Sequence, residues 1–240
     1  MKNILRLARD IKDLNKDPLD KEGIFYSHDE NELNKGYALI IGQSGTPYKH
    51  GFCLFSFTFP EDYPYTPPTV KFESGNNIVR FHPNLYKNRK VCLSILNTWN
   101  GDPWSSCQTI RSVLLTISTI LTKDPLLHEP HVREDHRDFK KYTLAIEYEN
   151  LKVMSYERGK SIINNTQAGP FYIFRPIVLD YLNNNFSTII REITNKHKKI
   201  CNSKINIGIY GFTSDINYKE LLDNYKLLKS EVKKIEIIES

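Results

Sequence analysis

The chain has 240 residues, which is enough for one full domain with an extension or for two small domains. Apolar residues make up 40% and charged residues 25%, as in an ordinary soluble globular protein, and the net charge of +5 is too mild to indicate a nucleic-acid partner. The first residues do not resemble a signal peptide, and no apolar run approaches the length of a membrane span. We expect the protein to be cytoplasmic, with a nuclear location as the alternative. We expect no membrane partner.

The N-terminal segment, residues 2–16, predicts an amphipathic helix. Apolar side chains recur along one face, and basic side chains that include Lys2, Arg6 and Arg9 lie on the opposite face. A proline at position 18 ends the pattern, because proline disfavours helical backbone in the residue before it.

Short strand-like segments follow the helix. They are separated by turn-forming sequences and cover residues 24–28, 37–41, 52–59 and 69–72. Because short connections favour antiparallel neighbours, these segments predict a four-stranded meander. Cys53 shares a strand face with Phe55 and Phe57 and is expected to fill the core.

Residues 59–68, FPEDYPYTPP, contain four prolines. Proline lacks an amide donor, so this segment cannot be an interior strand and is expected to be a stiff loop. It is either a rigid connector or a preformed aromatic contact surface, and the loop alone does not decide between them.

Cys92 lies eight residues after Asn84 in FHPNLYKNRKVCLSILNTW, residues 81–99. Most cysteines are small apolar residues of a core, so Cys92 is either such a residue or a nucleophile that Asn84 assists. The other three cysteines are at positions 53, 107 and 201. With no C-x-x-C pair among the four, no metal site is predicted, and free thiols are expected in a reducing compartment.

Beyond Cys92 the pattern is mainly helical. Ser105 and Gln108 form a capping-box pattern, which predicts a helix that begins there and holds Cys107 in its first turn. Further helices are expected over residues 135–157, after position 176, and at 215–237, where apolar side chains recur every seven positions. Docking of this last helix on its own domain is favoured over a partner-binding or dimer-forming role. The order of elements predicts an α+β fold.

These features together resemble the ubiquitin-conjugating enzymes, the E2 class. The resemblance rests on the order and spacing of GQSGTPYKHG at 42–51, FPEDYPYTPP at 59–68, HPNLY at 82–86, KVCLSIL at 90–96, and Trp104 before the next helix. The stretch VCLSILNTWNGDPW is similar to the subtype found in large hybrid E2/E3 enzymes such as Apollon (BRUCE). The resemblance implies a UBC-like fold: an N-terminal helix, a four-stranded antiparallel meander and then helices. The core catalytic domain would cover residues 1–160, with a mostly helical extension over 161–240.

The resemblance also implies a chemistry. Cys92 would accept ubiquitin from an activating enzyme (E1) as a thioester and pass it to substrate lysines. This transfer could also proceed without a ligase (E3). Asn84 would donate to the oxyanion of that transfer, and from its own chemistry it can equally fix the loop that carries Cys92. Glu129 in the loop 124–132 matches the position of an acid that helps the lysine lose its proton; the alternative is a solvated loop carboxylate. His82 and Pro83 are expected to organise the loop.

Partner contacts follow from the same resemblance. Lys2, Arg6 and Arg9 would meet E1, and Tyr65 and Trp104 are candidate contacts for an E3 ligase. The expected partners are ubiquitin, E1 and lysine-bearing proteins. Binding of an E3 ligase is left undecided, because Ser106 and Cys107 replace the proline and alanine with which the family usually docks such ligases. No bound cofactor is expected, since E1 uses the ATP. Two alternatives are a non-catalytic ubiquitin-binding E2-like module and conjugation of another ubiquitin-like modifier.

Overall fold

The structure is a computed structural model that describes residues 2–200 and 202–239, without the side chains of residues 2, 3, 236, 238 and 239. Cys201 and the side chain of Lys2 therefore lie outside the described residues. The helices and strands, in chain order, are α1 (Lys2–Lys16), β1 (Ile24–His28), β2 (Lys35–Ile41), β3 (Phe52–Thr58), β4 (Thr69–Phe72), α2 (Ile110–Ile120), α3 (Phe139–Glu149), α4 (Arg158–Ile163), α5 (Arg175–Lys199), β5 (Ser203–Ile207), β6 (Phe212–Ile216) and α6 (Tyr218–Glu239).

The first four strands form one antiparallel sheet in the order β1-β2-β3-β4, so the predicted meander is confirmed. The register pairs Leu39 with Leu54 in the centre of the sheet and Phe57 with Val70 at the β3–β4 pair. β2 and β3 are apolar at successive positions and not only at alternate ones. This pattern requires both faces of the central strands to be covered.

Helices cover the two faces of the sheet. On one face Cys53, Phe55 and Phe57 lie in a core that also includes side chains of α1, α2 and α3. This placement confirms Cys53 as a core residue, and burial raises the pKa of its thiol to about 12. On the opposite face Leu39 and Leu54 lie in a second core with α5 and α6. The C-terminal extension thus supplies a layer that the apolar sheet face needs, and the division at residue 160 stays a prediction.

Two helix boundaries differ from the sequence prediction. α2 begins at Ile110, because the capping box is formed by Thr109 and Ser112 and not by Ser105 and Gln108. Cys107 is therefore exposed in the loop before the helix instead of lying in its first turn. The predicted helix over residues 135–157 begins only at Phe139 and continues beyond Glu149 as a π-helical segment, Asn150–Glu157, before α4.

The C-terminal extension contains an antiparallel hairpin, β5–β6, that the helical prediction for this region did not include. Its tip, residues 208–211, is a short 3₁₀ turn closed by Gly211 in the left-handed conformation. Phe212 packs edge-on against Tyr142 of α3, and Ser214 donates to Glu149 at 2.6 Å. The hairpin is therefore attached to α3, on the side of the first core.

The final helix docks on its own chain, as predicted. Tyr225 of α6 is buried and donates a hydrogen bond of 2.9 Å to the carbonyl of Leu151, and Tyr218 packs edge-on against Tyr148. Among the described helices, none is both long and apolar enough to cross a bilayer.

Candidate active site

Cys92 lies in an irregular segment between the sheet and α2, at the end of a narrow chain reversal that starts at His82. Its side chain is only 2% exposed, and the short 3₁₀ turn Ser94–Leu96 follows it. The Cys92 amide donates to the carbonyl of Asn84 at 2.9 Å, so the two residues are held side by side. The three described cysteines, at positions 53, 92 and 107, are free thiols.

The side chain of Asn84 makes a second hydrogen bond to the backbone of Cys92. Its side-chain Nδ2 donates to the carbonyl oxygen of Cys92 at 2.6 Å, while its buried Oδ1 has no hydrogen-bond partner in the described structure. The loop-fixing role that the sequence predicted is therefore present. The oxyanion-donor role stays a prediction, and the Nδ2 group that it would need is engaged with a backbone carbonyl in this structure.

His82 and Pro83 form the buried turn that places Asn84. Nδ1 of His82 accepts the backbone N–H of Asn84 at 3.0 Å, which means that this nitrogen carries no proton. Burial, with His128 and Arg80 nearby, lowers the pKa of His82 well below its ordinary value. The guanidinium of Arg80 donates to the carbonyls of both His82 and Pro83. His82 is a structural residue of the turn, because its unprotonated nitrogen, Nδ1, is engaged with the Asn84 amide and is not available as a base toward Cys92.

The loop after Cys92 is fastened through Thr98, a contact that the sequence reading missed. The Thr98 hydroxyl donates to the carbonyl of Val91 at 2.8 Å and accepts the amide of Leu93 at 2.9 Å. One hydroxyl thereby binds the residues on both sides of Cys92. Asn97 fixes the far end of the loop by accepting the amide of Trp104 at 2.8 Å.

Glu129 lies in the loop that joins α2 to α3 and is partly buried. Its Oε2 accepts a hydrogen bond of 2.5 Å from the hydroxyl of Tyr210, in the tip of the C-terminal hairpin. Within the described residues no hydrogen bond reaches its other oxygen, Oε1. One oxygen of the Glu129 carboxylate is therefore held by Tyr210, while the role of the residue stays a prediction. Its distant partner, 81 residues along the chain, gave no signal in the sequence.

Comparison with known proteins identifies the fold around this cysteine. The family model for ubiquitin-conjugating enzymes matches residues 6–151, which is more than half of the chain and includes the Cys92 segment. The chain belongs to the ubiquitin-conjugating enzyme (E2) family. The family consists of transferases, and membership confirms the UBC fold and the E2 class that the motifs predicted.

Individual relatives refine this assignment. Human ubiquitin-conjugating enzyme E2 Z is 45% identical over 153 residues, which cover 62% of this chain and 43% of E2 Z. The human dual E2/E3 enzyme BIRC6 is 44% identical over 113 residues, or 45% of this chain and 2% of BIRC6, and confirms the predicted similarity to hybrid E2/E3 proteins. A Plasmodium yoelii structure assigned to the ubiquitin-conjugating enzymes has 27% identity and a TM-score of 0.52, covering 65% of this chain and 97% of its own. The chain spans less than half the length of E2 Z.

The two ligase-contact candidates of this E2 have different environments. Tyr65 is 76% exposed on the proline-rich loop and is free to contact a partner. Trp104 is only 8% exposed, and its indole N–H donates to the carbonyl of Pro64 at 2.7 Å. The Trp104 ring therefore packs beneath the proline-rich loop, and Tyr65 is the more accessible of the two candidates, both of which stay predictions.

Two basic residues of α1, Arg6 and Arg9, also have different environments. Arg6 pairs with Asp10 at 2.8 Å and donates to the carbonyls of Ser106 and Gln108 at 2.7 Å each. These bonds attach α1 to the loop before α2, so Arg6 is mainly a structural residue of this E2. Arg9 is exposed and remains a candidate for contact with an activating enzyme.

Proposed function

We propose that this E2 accepts ubiquitin from E1 as a thioester on Cys92 and then transfers it to lysine side chains of other proteins. The observation that carries the proposal is the reciprocal pairing of Cys92 and Asn84 inside a UBC fold. A cysteine that only filled a core would not need its backbone fixed on both sides by Asn84 and Thr98.

The chemistry of charging needs little activation. The Cys92 thiolate attacks the carbonyl carbon of the E1–ubiquitin thioester, the new C–S bond forms, and the E1 thiolate leaves. One thioester replaces another, and a free cysteine is already about a few per cent thiolate at pH 7. A paired histidine base would promote hydrolysis of such an intermediate, and no hydrogen bond joins the Cys92 sulfur to a histidine in the described parts of the chain.

Transfer to lysine is more demanding. The lysine ammonium, whose free pKa is about 10.4, must first lose a proton. The neutral amine then attacks the thioester carbonyl, the isopeptide bond forms, the Cys92 thiolate leaves, and the second amine proton passes to that thiolate or to solvent. We assign the acceptance of the ammonium proton to Glu129, whose Oε1 is available, and stabilisation of the oxyanion to the Asn84 amide. The Asn84 amide would have to exchange its bond to the Cys92 carbonyl for one to the oxyanion.

The partners in this proposal are ubiquitin, an E1, and proteins with accessible lysines. Contact with an E3 ligase would use Tyr65, and independence from ligases is the second possibility, supported by the similarity to the dual E2/E3 enzyme BIRC6. No bound cofactor is required, because ATP is used by E1. The proposed location is the cytoplasm or the nucleus.

A charging assay tests the proposal. The full chain is incubated with E1, ATP and ubiquitin, and with other ubiquitin-like modifiers and their E1 enzymes in parallel. We expect a ubiquitin adduct that survives denaturation but is released by thiols. Binding of ubiquitin without an adduct would indicate the non-catalytic module, and an adduct with another modifier alone would change the assigned cargo.

A further inference from the structure

The tip of the C-terminal hairpin contacts the active-site loops at three points. The hydroxyl of Tyr210 donates to Glu129, and the Tyr210 carbonyl accepts a hydrogen bond of 3.0 Å from the ammonium group of Lys87. The guanidinium of Arg80 lies 3.4 Å from the ring centre of Tyr86 and 5.1 Å from that of Tyr210. A residue of the extension therefore touches both the turn that holds Asn84 and the loop that holds Glu129.

The ring of Tyr210 is fixed independently of its hydroxyl. Tyr142 packs edge-on against it with ring centres 5.4 Å apart, and the neighbouring amide of Ile209 donates to Asp138 at 2.9 Å. Burial and the hydrogen bond to Glu129 raise the pKa of Tyr210 well above its ordinary value, so its hydroxyl keeps the proton that it donates. The hydroxyl consequently reaches Glu129 from a rigid support.

We propose that Tyr210 is a positioning residue for lysine transfer, which holds the Glu129 carboxylate by Oε2 and leaves Oε1 to accept the proton of the incoming lysine. This inference rests on the proposed function. A carboxylate on a loop has several rotamers, and a bond to one oxygen reduces the conformations from which the other can act. The C-terminal extension would then serve the second step of the reaction but not the first.

Tyr210→Phe in the full chain is the direct variant, because it removes the hydroxyl and keeps the ring against Tyr142 and Arg80. Tyr172→Phe makes the same change at an exposed position of the extension and is the matched control. We expect both variants to be charged with ubiquitin at wild-type rates. Discharge to free lysine at pH 7 should be roughly tenfold slower for Tyr210→Phe and unchanged for Tyr172→Phe.

A double-variant cycle separates positioning of Glu129 from a general structural effect. If Tyr210 acts through Glu129, Tyr210→Phe should cause no further loss in a Glu129→Ala background, and its deficit should shrink as the pH approaches 10. Additive losses, or equal slowing of charging and discharge, would overturn the proposal. Normal discharge by Glu129→Ala would also overturn it, while leaving the thioester on Cys92 intact. Failure of wild-type charging would instead contradict the proposed function.

Discussion

Asn84 and Cys92 are joined by two hydrogen bonds that run in opposite directions. The Asn84 side chain donates to the Cys92 carbonyl at 2.6 Å, and the Cys92 amide donates to the Asn84 carbonyl at 2.9 Å. Residues eight positions apart in the chain thus form a closed unit, with His82 supporting it from behind through the Asn84 amide. The same side-chain amide fixes the backbone of Cys92, and under the proposed function it would also donate to the oxyanion of lysine transfer.

The Asn84→Ala variant tests both roles of this amide. We expect charging to fall by only a few-fold, because the Cys92 loop keeps its backbone bond and Thr98. Discharge to free lysine should fall by about 10²–10³, the usual cost of one lost oxyanion donor. The measurement is a single-turnover comparison of the two steps, with the exposed Asn100→Ala as control. Equal losses in both steps would show that Asn84 acts through loop geometry alone.

Glu129→Ala should be charged normally and discharge slowly, by roughly 10²-fold at pH 7, because it lacks the group that takes the lysine proton. Raising the pH toward the free lysine pKa should restore much of the rate, since the amine is then already neutral. A discharge series from pH 7 to about 10 measures this. Glu134→Ala, an exposed acid just beyond the same loop, is the control. A Glu129→Ala profile parallel to wild type at every pH would contradict the assignment.

The α1 surface can be tested at Arg9 without disturbing the fold. Arg9→Glu should slow charging by E1 at low salt, and the effect should diminish at high salt because attraction between exposed charges is screened. Lys234→Glu on α6 has the same charge change and should have no effect. Arg6→Glu is unsuitable, since it would break the bonds of Arg6 to Ser106 and Gln108. An Arg9→Glu charging rate equal to wild type at low salt would exclude a steering role.

The lowered pKa of His82 predicts that the protein loses stability in acid. Its pKa in the folded chain lies well below the unfolded value of about 6.5, so the unfolded chain binds more protons once the pH falls below 6.5. The free energy of unfolding should therefore decrease from pH 7 toward pH 5. His82→Asn keeps an acceptor for the Asn84 amide but cannot be protonated, so its stability should depend less on pH, with a difference in slope that approaches about 1.4 kcal/mol per unit only below the unfolded pKa. Denaturant unfolding across this range measures it, and equal slopes would contradict it.

Local sequence patterns predicted the sheet well and the tertiary contacts poorly. β1 and β4 have the predicted bounds, because apolar alternation and turn residues mark strand ends within a few positions. The predicted start of α2 was wrong because Ser105 and Gln108 match the S/T-x-x-E/Q capping pattern, whereas the box in the structure is formed by Thr109 and Ser112. In the folded chain Arg6 of α1 donates to the carbonyls of Ser106 and Gln108 in the loop before α2, a long-range contact that the local pattern does not contain.

The C-terminal hairpin had a signal that the helical interpretation overlooked. Ile205 and Ile207 precede the glycines at 208 and 211, and Phe212 and Ile216 follow them, with each apolar pair at an even spacing that places both side chains on one strand face. The contact of Tyr210 with Glu129 has no such local signal. It depends on how the hairpin packs on α3, so only the folded chain shows that the extension reaches the candidate active site.

The location of the ubiquitin adduct tests the central claim most directly. Wild type, Cys92→Ser, Cys92→Ala, Cys107→Ser and Cys201→Ser are each charged with E1, ATP and ubiquitin, and the products are compared with and without reducing agent. We predict a thiol-sensitive adduct in wild type, Cys107→Ser and Cys201→Ser, at most a thiol-stable oxyester in Cys92→Ser, and none in Cys92→Ala. A thiol-sensitive adduct that persists in Cys92→Ala and disappears in Cys107→Ser or Cys201→Ser would contradict the assignment of Cys92 as the ubiquitin carrier.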